Sequence, residues 1–142
     1  MANLVLLDNS ILQRRDKPSV AAALRALVRN DAVWLATWPP QAAEFCFSAR
    51  EGSEAFDQHR RLLDSWVPLS APPTVNDTLD LQRKLWAAGL FRAAGATDTL
   101  IAAWALVNDA WILHYDRDYE HLASVEPRLV QRPLVPWGSA DD

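Results

Sequence analysis

Five acidic side chains are spaced so that an α/β chain could use them together. Asp8 closes the apolar run 4–7, and Glu44 sits inside the otherwise apolar stretch 42–47. Asp98 follows Thr97 at the head of an apolar helical pattern, and Asp116 and Asp118 follow the run 111–115. Each acid has a plain structural use as well. Asp8 could cap a helix beginning near Ser10, with Ser10 an equal candidate, and Asp118 could cap the short helix after it. Asp98 could complement the dipole of its own helix. Glu44 is harder to place in this way. Its neighbours Ala42, Ala43, Phe45, Cys46 and Phe47 are apolar, and a buried, unpaired carboxylate is costly. Gathered at one sheet edge, these acids would repel one another, and their pKa values would rise unless a cation neutralised them. Ligation by carboxylate oxygens selects hard ions, Mg²⁺ or Mn²⁺. Such a site suits two-metal hydrolysis of a phosphodiester: one ion lowers the pKa of a water, and both stabilise charge on the attacking and leaving oxygens.

Other chemistries are less well supplied. The one cysteine, Cys46, and the scattered His59, His114 and His121 form no paired zinc-ligand motif. Cys46 reads as a small buried hydrophobe, and His59 and His121 as surface residues. His114 could serve as a general base, since unperturbed histidine titrates near neutral pH; a metal can generate hydroxide without it. There is no Gly-rich phosphate loop and no aromatic RNA-binding motif. Arg14, Arg15 and Lys17 cluster just after Asp8, either as a solvated helix end or as contacts to the phosphates of a nucleic acid.

The elements that must position these residues alternate in type. Short apolar runs at 4–7, 33–36, 66–69, 111–115 and 129–131 predict strands. Helical patterns cover 11–16, 19–29, 40–49 and 53–65, with Leu24, Leu27 and Val28, then Phe56, Leu62 and Leu63, facing inward. Thr74, with Asp77 in the first turn, predicts the start of a helix running to about Leu90. Thr97 reads as the cap of the helix through Val107, and a short helix follows Asp118. Strands alternating with helices imply an α/β fold, a three-layer α/β/α sandwich around a central parallel sheet of about five strands. In such sheets, sites form beyond the carboxyl ends of the strands, where strand order reverses.

Composition bounds the rest. A chain of 142 residues with 50% apolar and 23% charged residues makes one globular domain, with a loose tail at 136–142. A net charge of −4, from 18 acids and 14 bases, argues against a protein that merely coats nucleic acid. Setting the five acids aside leaves 13 against 14 bases, so the negative charge concentrates in the proposed site and in Asp141 and Asp142. The longest apolar run, 100–107, is too short to span a bilayer, no signal-peptide pattern opens the chain, and Cys46 has no partner for a disulfide. A cytoplasmic location is expected. Most of the seven tryptophans are expected in the core, with Trp34, Trp38 and Trp66 the ones that could belong to a partner surface.

Four segments in order carry a family resemblance: Leu6-Leu7-Asp8-Asn9-Ser10, Pro39-Pro40-Gln41-Ala42-Ala43-Glu44, Gly95-Ala96-Thr97-Asp98 with the apolar residues after it, and Leu113-His114-Tyr115-Asp116-Arg117-Asp118-Tyr119. They resemble the acidic motifs of PIN-domain proteins, and among these the VapC-type toxins of bacterial toxin–antitoxin pairs, from Leu4 to about Leu134. The resemblance implies a PIN-like nuclease domain over 1–135 and a Mg²⁺-dependent endoribonuclease, with Mn²⁺ able to substitute. It implies Asp8, Glu44, Asp98 and Asp116 as the catalytic and metal-binding carboxylates, Asp8 and Asp98 foremost, with Asp118 and Ser10 accessory. It further implies a homodimer, inhibition by a cognate VapB-type antitoxin, and tRNA or ribosomal RNA as substrate. Two positions depart from the family pattern. Asn9 stands where a small hydroxyl residue is usual, with Ser10 keeping a hydroxyl next door, and His114 stands where many members carry a hydroxyl. Two other readings use the same residues. A receiver-like domain phosphorylated on Asp8 would need a lysine after a later strand, and neither Lys17 nor Lys84 is so placed. A non-catalytic PIN-fold binding module would have no need to retain mutually repelling acids.

Overall fold

The run Asn3–Leu7 forms a strand, β1, that is buried on both faces, because its apolar residues are continuous rather than alternating. A computed structural model of the chain describes residues 3–140. β1 lies at the centre of a five-stranded, wholly parallel sheet with β2 (Val33–Thr37), β3 (Val67–Pro68), β4 (Trp111–His114) and β5 (Gln131–Pro133), in the order β3-β2-β1-β4-β5. The chain builds outward from β1 through β2 to β3, then crosses back to set β4 on the other side of β1, Leu6 opposite Ile112 and Leu7 opposite Leu113. Strand order therefore reverses between β1 and β4. A crevice opens beyond the carboxyl ends of two neighbouring strands at such a point.

Among the described residues seven helices make the crossovers: α1 (Asn9–Leu12), α2 (Pro18–Val28), α3 (Pro39–Phe47), α4 (Ser53–Asp64), α5 (Val75–Ala87), α6 (Ala96–Val107) and α7 (Asp118–Val125). The pleat sends successive β1 side chains to opposite layers. Leu6 packs with Ala36 and Ile112 against Leu85 of α5, Ile101 and Ala105 of α6, and Leu122 of α7. Val5, Leu7 and Leu113 pack against Leu12, Phe45 and Leu63 on the other side. The expected three-layer α/β/α sandwich with five parallel strands is the one observed.

Several local expectations are corrected by packing and by backbone geometry. α6 begins at Ala96 with Gly95 as its cap, so Thr97 lies inside the helix and Asp98 stays in its first turn. α5 is capped as expected, Thr74 Oγ1 accepting from Asp77 N–H at 3.1 Å and Asp77 Oδ2 accepting from Thr74 N–H at 2.8 Å. It stops at Ala87 because Gly89 takes a left-handed conformation (φ 73°), letting Leu90 N–H donate to Leu85 O. The helix expected over 11–16 is one turn, Asn9–Leu12, and β5 falls at Gln131–Pro133 rather than 129–131. Val28, 68% exposed, and Phe56 and Leu62 lie outside the core, while Leu63 is buried. Of the tryptophans, Trp38 and Trp104 are buried, and Trp34, Trp86 and Trp111 are exposed. The segment 136–140, expected to be loose, is packed. Ala140 is buried with Ile11, Val20 and Val135, and Ser139 O accepts from Ser19 Oγ at 2.7 Å. Asp141 and Asp142 lie outside the described residues.

Candidate metal centre

Asp8 leaves the end of β1 and Asp116 the end of β4, so the reversal of strand order brings them to one crevice. Asp8 is buried and held from several sides. Its backbone N–H donates to Leu113 O at 3.0 Å, and its Oδ2 accepts from Ser10 N–H at 3.1 Å. Asp8 is therefore the cap of α1, as one of its expected roles had it. Ser10 does not cap; its Oγ accepts from Tyr115 N–H at 2.9 Å and ties the β4 end to α1. Leu7 O, at the tip of β1, is engaged by Gln41 Nε2 of α3 at 2.7 Å, and Gln41 Oε1 accepts from Thr37 Oγ1 at 2.9 Å.

Asp98, Asp116 and Asp118 each offer a carboxylate oxygen within 4.8 Å of the others. Asp118 thus joins the tight group although it was expected only as accessory, while Asp8 stands one hydroxyl away from it. That hydroxyl belongs to Tyr119, fully buried, which donates to Asp8 Oδ1 at 2.7 Å and lies 3.4 Å from Asp98 Oδ1. Glu44 reaches the same crevice from α3, exposed at its rim, and accepts from Asn9 Nδ2 at 3.5 Å. Its apolar neighbours in sequence point elsewhere: Phe45 packs in the core and Phe47 is 80% exposed.

The electrostatics match this crowding. Burial pushes the Asp98 carboxyl up to about 8, with further contributions from a hydrogen bond with Asp118 and from the charges of Asp8, Asp116 and Asp118. The partial desolvation of the Glu44 carboxyl at this edge raises it as well, followed by the charge of Asp8. The three ion pairs seen among the described residues, Lys84–Glu126, Arg128–Glu126 and Arg117–Glu120, leave these acids out. The donor set is all oxygen, it is charged, and Asn9 Oδ1 beside it is buried without a hydrogen-bond partner in the protein. A hard divalent cation fits that chemistry.

His114 is not free to act as a base. It is fully buried; Nδ1 accepts from Asp116 N–H at 3.1 Å, which leaves the ring proton on Nε2 to donate to Gln131 Oε1 at 2.6 Å. Burial lowers its pKa, and the ring braces the turn whose Asp116 Oδ1 accepts from Asp118 N–H at 2.9 Å. Arg14 and Arg15 are half-buried and occupied. Arg14 donates to Ser10 O at 2.7 Å and lies over the Tyr115 ring, and Arg15 donates to Leu12 O and lies over Phe45. His59, expected on the surface, stacks on Phe45 at 4.2 Å, whereas His121 is exposed. Cys46 lines an apolar groove between α3 and α4, half-buried, with its thiol pKa raised by burial. Tyr119 touches two of the candidate acids and is not singled out by the sequence pattern. Its signal was an aromatic with a polar tip inside an acidic motif, where an apolar ring alone would have filled the core.

The fold is shared with solved structures. The chain matches the structure of VapBC2 from Rickettsia felis bound to a promoter DNA fragment, with a TM-score of 0.68 and 20% identity, over 92% of this chain and 98% of that one. It matches VapBC-1 from nontypeable Haemophilus influenzae with the same TM-score and coverage at 16% identity. The sheet order and the acids at the reversal point define a PIN-like α/β/α domain. No protein-family model matches the chain. Sequence relatives carry the assignment further: it is 33% identical to the ribonuclease VapC51 of Mycobacterium tuberculosis over 99% of this chain and all of that one. It is 38% identical to VapC6 of the same organism over 72% of this chain and 80% of the relative. The chain belongs to the VapC ribonuclease family of PIN-domain toxins. No helix among the described residues is long and apolar enough to cross a membrane.

Proposed function

We propose that this chain is a Mg²⁺-dependent endoribonuclease, the toxin of a VapBC-type pair, that hydrolyses phosphodiesters of tRNA or ribosomal RNA. The observation that carries the reading is the meeting of Asp98, Asp116 and Asp118, from two separate parts of the chain, within 4.8 Å beside Asp8. Asp8, Asp98, Asp116 and Glu44 are the residues that would hold divalent cations, with Asp118 and Ser10 supporting. Bound Mg²⁺ or Mn²⁺ would supply a water of lowered pKa and positive charge opposite the phosphoryl oxygens.

The protein's own contribution is orientation. Ser10 N–H keeps the Asp8 carboxylate from turning, and Asp118 N–H does the same for Asp116. Unneutralised, so many carboxylates would repel an RNA backbone, so cation uptake and RNA binding favour one another. Glu44, at the exposed rim, is the acid best placed to pass a proton to or from solvent. Arg14, Arg15 and Lys17 follow Asp8 closely in sequence and are proposed to meet RNA phosphates. A VapB-type antitoxin and a second copy of the chain complete the proposed assembly.

Purified protein is expected to cleave RNA with Mg²⁺ or Mn²⁺, and to stop on addition of EDTA or on Asp8→Asn substitution. Equal cleavage by Asp8→Asn would sink the site assignment. Mapping new 5′ ends in cells after controlled expression identifies the RNA that is cut. Cells expressing the protein with no new ends, together with no cleavage in vitro, would favour a non-catalytic binding module.

A further inference from the structure

The Tyr119 side chain occupies an unusual place for a phenol. It is fully buried on α7, packed in the core with Leu6, Ile101 and Leu122, yet its one polar atom emerges between two site acids. Its hydroxyl donates to Asp8 Oδ1 at 2.7 Å, the usual length of an O–H···O bond, and lies 3.4 Å from Asp98 Oδ1. A phenol has a single proton to give, and the shorter contact takes it. Asp8 Oδ2 is held independently by Ser10 N–H at 3.1 Å. The two oxygens of Asp8 are thus each fixed by one donor, on different elements, and the plane of the carboxylate is set before any ligand arrives. The ring itself packs in the apolar core cluster, with a tilted packing on His114 at 4.9 Å. A phenylalanine would fill the same space; what the tyrosine adds is the hydroxyl.

We infer that Tyr119 is a positioning residue for the metal centre, its hydroxyl holding Asp8 and spacing it from Asp98 so that a divalent cation enters a site already arranged. The inference rests on the reading of these acids as metal ligands. Groups that orient a ligand through a hydrogen bond are worth roughly 10- to 100-fold in metal affinity when removed. A carboxylate oxygen has two lone pairs, so the bond from Tyr119 leaves Asp8 able to coordinate.

The test is Mn²⁺ binding to the full-length protein, followed by the loss of free Mn²⁺ signal in electron paramagnetic resonance, for wild type, Asp98→Asn and Tyr119→Phe. Wild type is expected to bind, Asp98→Asn to lose binding, and Tyr119→Phe to bind roughly 10- to 100-fold more weakly while still melting cooperatively without metal. Tyr119→Phe binding as tightly as wild type would overturn the role of the hydroxyl while leaving the metal site standing. Wild type that takes up no Mn²⁺ would overturn the metal reading and this inference with it. A second measurement avoids reliance on the folding of Tyr119→Phe. The chain has two tyrosines, so Tyr115→Phe protein labelled with ¹³C at tyrosine Cζ gives one resonance, that of Tyr119. It is expected to move on saturation with Mg²⁺ and to stay still when Asp98 is asparagine. No movement with Mg²⁺ in the protein that retains Asp98 would refute the contact between this hydroxyl and the metal site.

Discussion

Replacing Asp98 by asparagine removes the carboxyl that burial and its acidic neighbours push up to about 8. Between the ordinary value of 3.8 and about 8, the folded chain holds a proton here that the unfolded chain has released. By linkage, stability falls as pH rises through that window, and the loss is complete above about 8. At ~1.4 kcal/mol per pH unit, the stretch from about pH 6 to the top of the window sets a ceiling of roughly 3 kcal/mol. The carboxyl is half-buried and its proton is shared with Asp118, so screening by water reduces the expected loss to ~2 kcal/mol. In a chain of this length that is roughly 4–8 °C in Tm. Thermal melts in EDTA at about pH 6 and about pH 8.5 should show this drop for wild type and little of it for Asp98→Asn, whose amide does not titrate. Saturating Mg²⁺ at the higher pH should restore wild type, because the cation replaces the missing proton, and should stabilise the asparagine variant less. Equal drops in the two proteins, or equal stabilisation by Mg²⁺, would refute the account of this site as a set of acids held together against their own repulsion.

Other substitutions test other parts of the structure. His114→Ala strands the Asp116 N–H and Gln131 Oε1 and is expected to cost about 1–3 kcal/mol in denaturant titrations. The pH profile of RNA cleavage should keep its shape in this variant, since the ring is buried with both nitrogens engaged; loss of one limb would show the ring titrating in catalysis. Glu126 is held down to about 2, chiefly by its bond from Arg128 and also by Lys84, so its contribution is present above 4.5 and lost as pH falls from there toward about 2. Melts over that acid range should converge for wild type and Glu126→Gln, and a constant gap between them would contradict the linkage. Asp109 takes a left-handed conformation at φ 53° just past α6, where Ala110 N–H bonds to Ala105 O. Asp109→Gly should raise stability by up to ~1 kcal/mol in chemical denaturation, and a loss would mean that the aspartate side chain outweighs the backbone strain.

Much of the architecture was legible because it follows from local chemistry. The unbroken apolar run through Val5, Leu6 and Leu7 could only be a strand covered on both sides, and the Thr74–Asp77 pair marked the start of α5. The errors fell where a backbone angle or an end effect decided. Gly89 stops α5 early, and Gly95, with no side chain to offer, takes the cap that Thr97 seemed suited to fill. The exposure of Phe56 and Leu62 was illegible for another reason. A helical or strand pattern shows that residues share a face, but which neighbours arrive to cover that face is settled by the rest of the fold.

The amino-acid order by itself determined that the chain is α/β, that its acids stand at strand and helix ends, and that four motifs of one family occur in order. Those are properties of nearest neighbours along the chain: propensity, periodicity and residue type. The tertiary structure alone decided which acids meet. Reversal of strand order beside β1 set Asp116 next to Asp8, and α6 returned Asp98 to the same crevice. It also turned two residues to uses their types do not announce. Packing closed both nitrogens of His114, which makes a tempting base into a brace, and it carried the Tyr119 hydroxyl through the core to a carboxylate 111 positions away. Distances of that kind are fixed only when three layers close on one sheet, because a hydrogen bond depends on where its partner lies in space and not on where it lies in sequence.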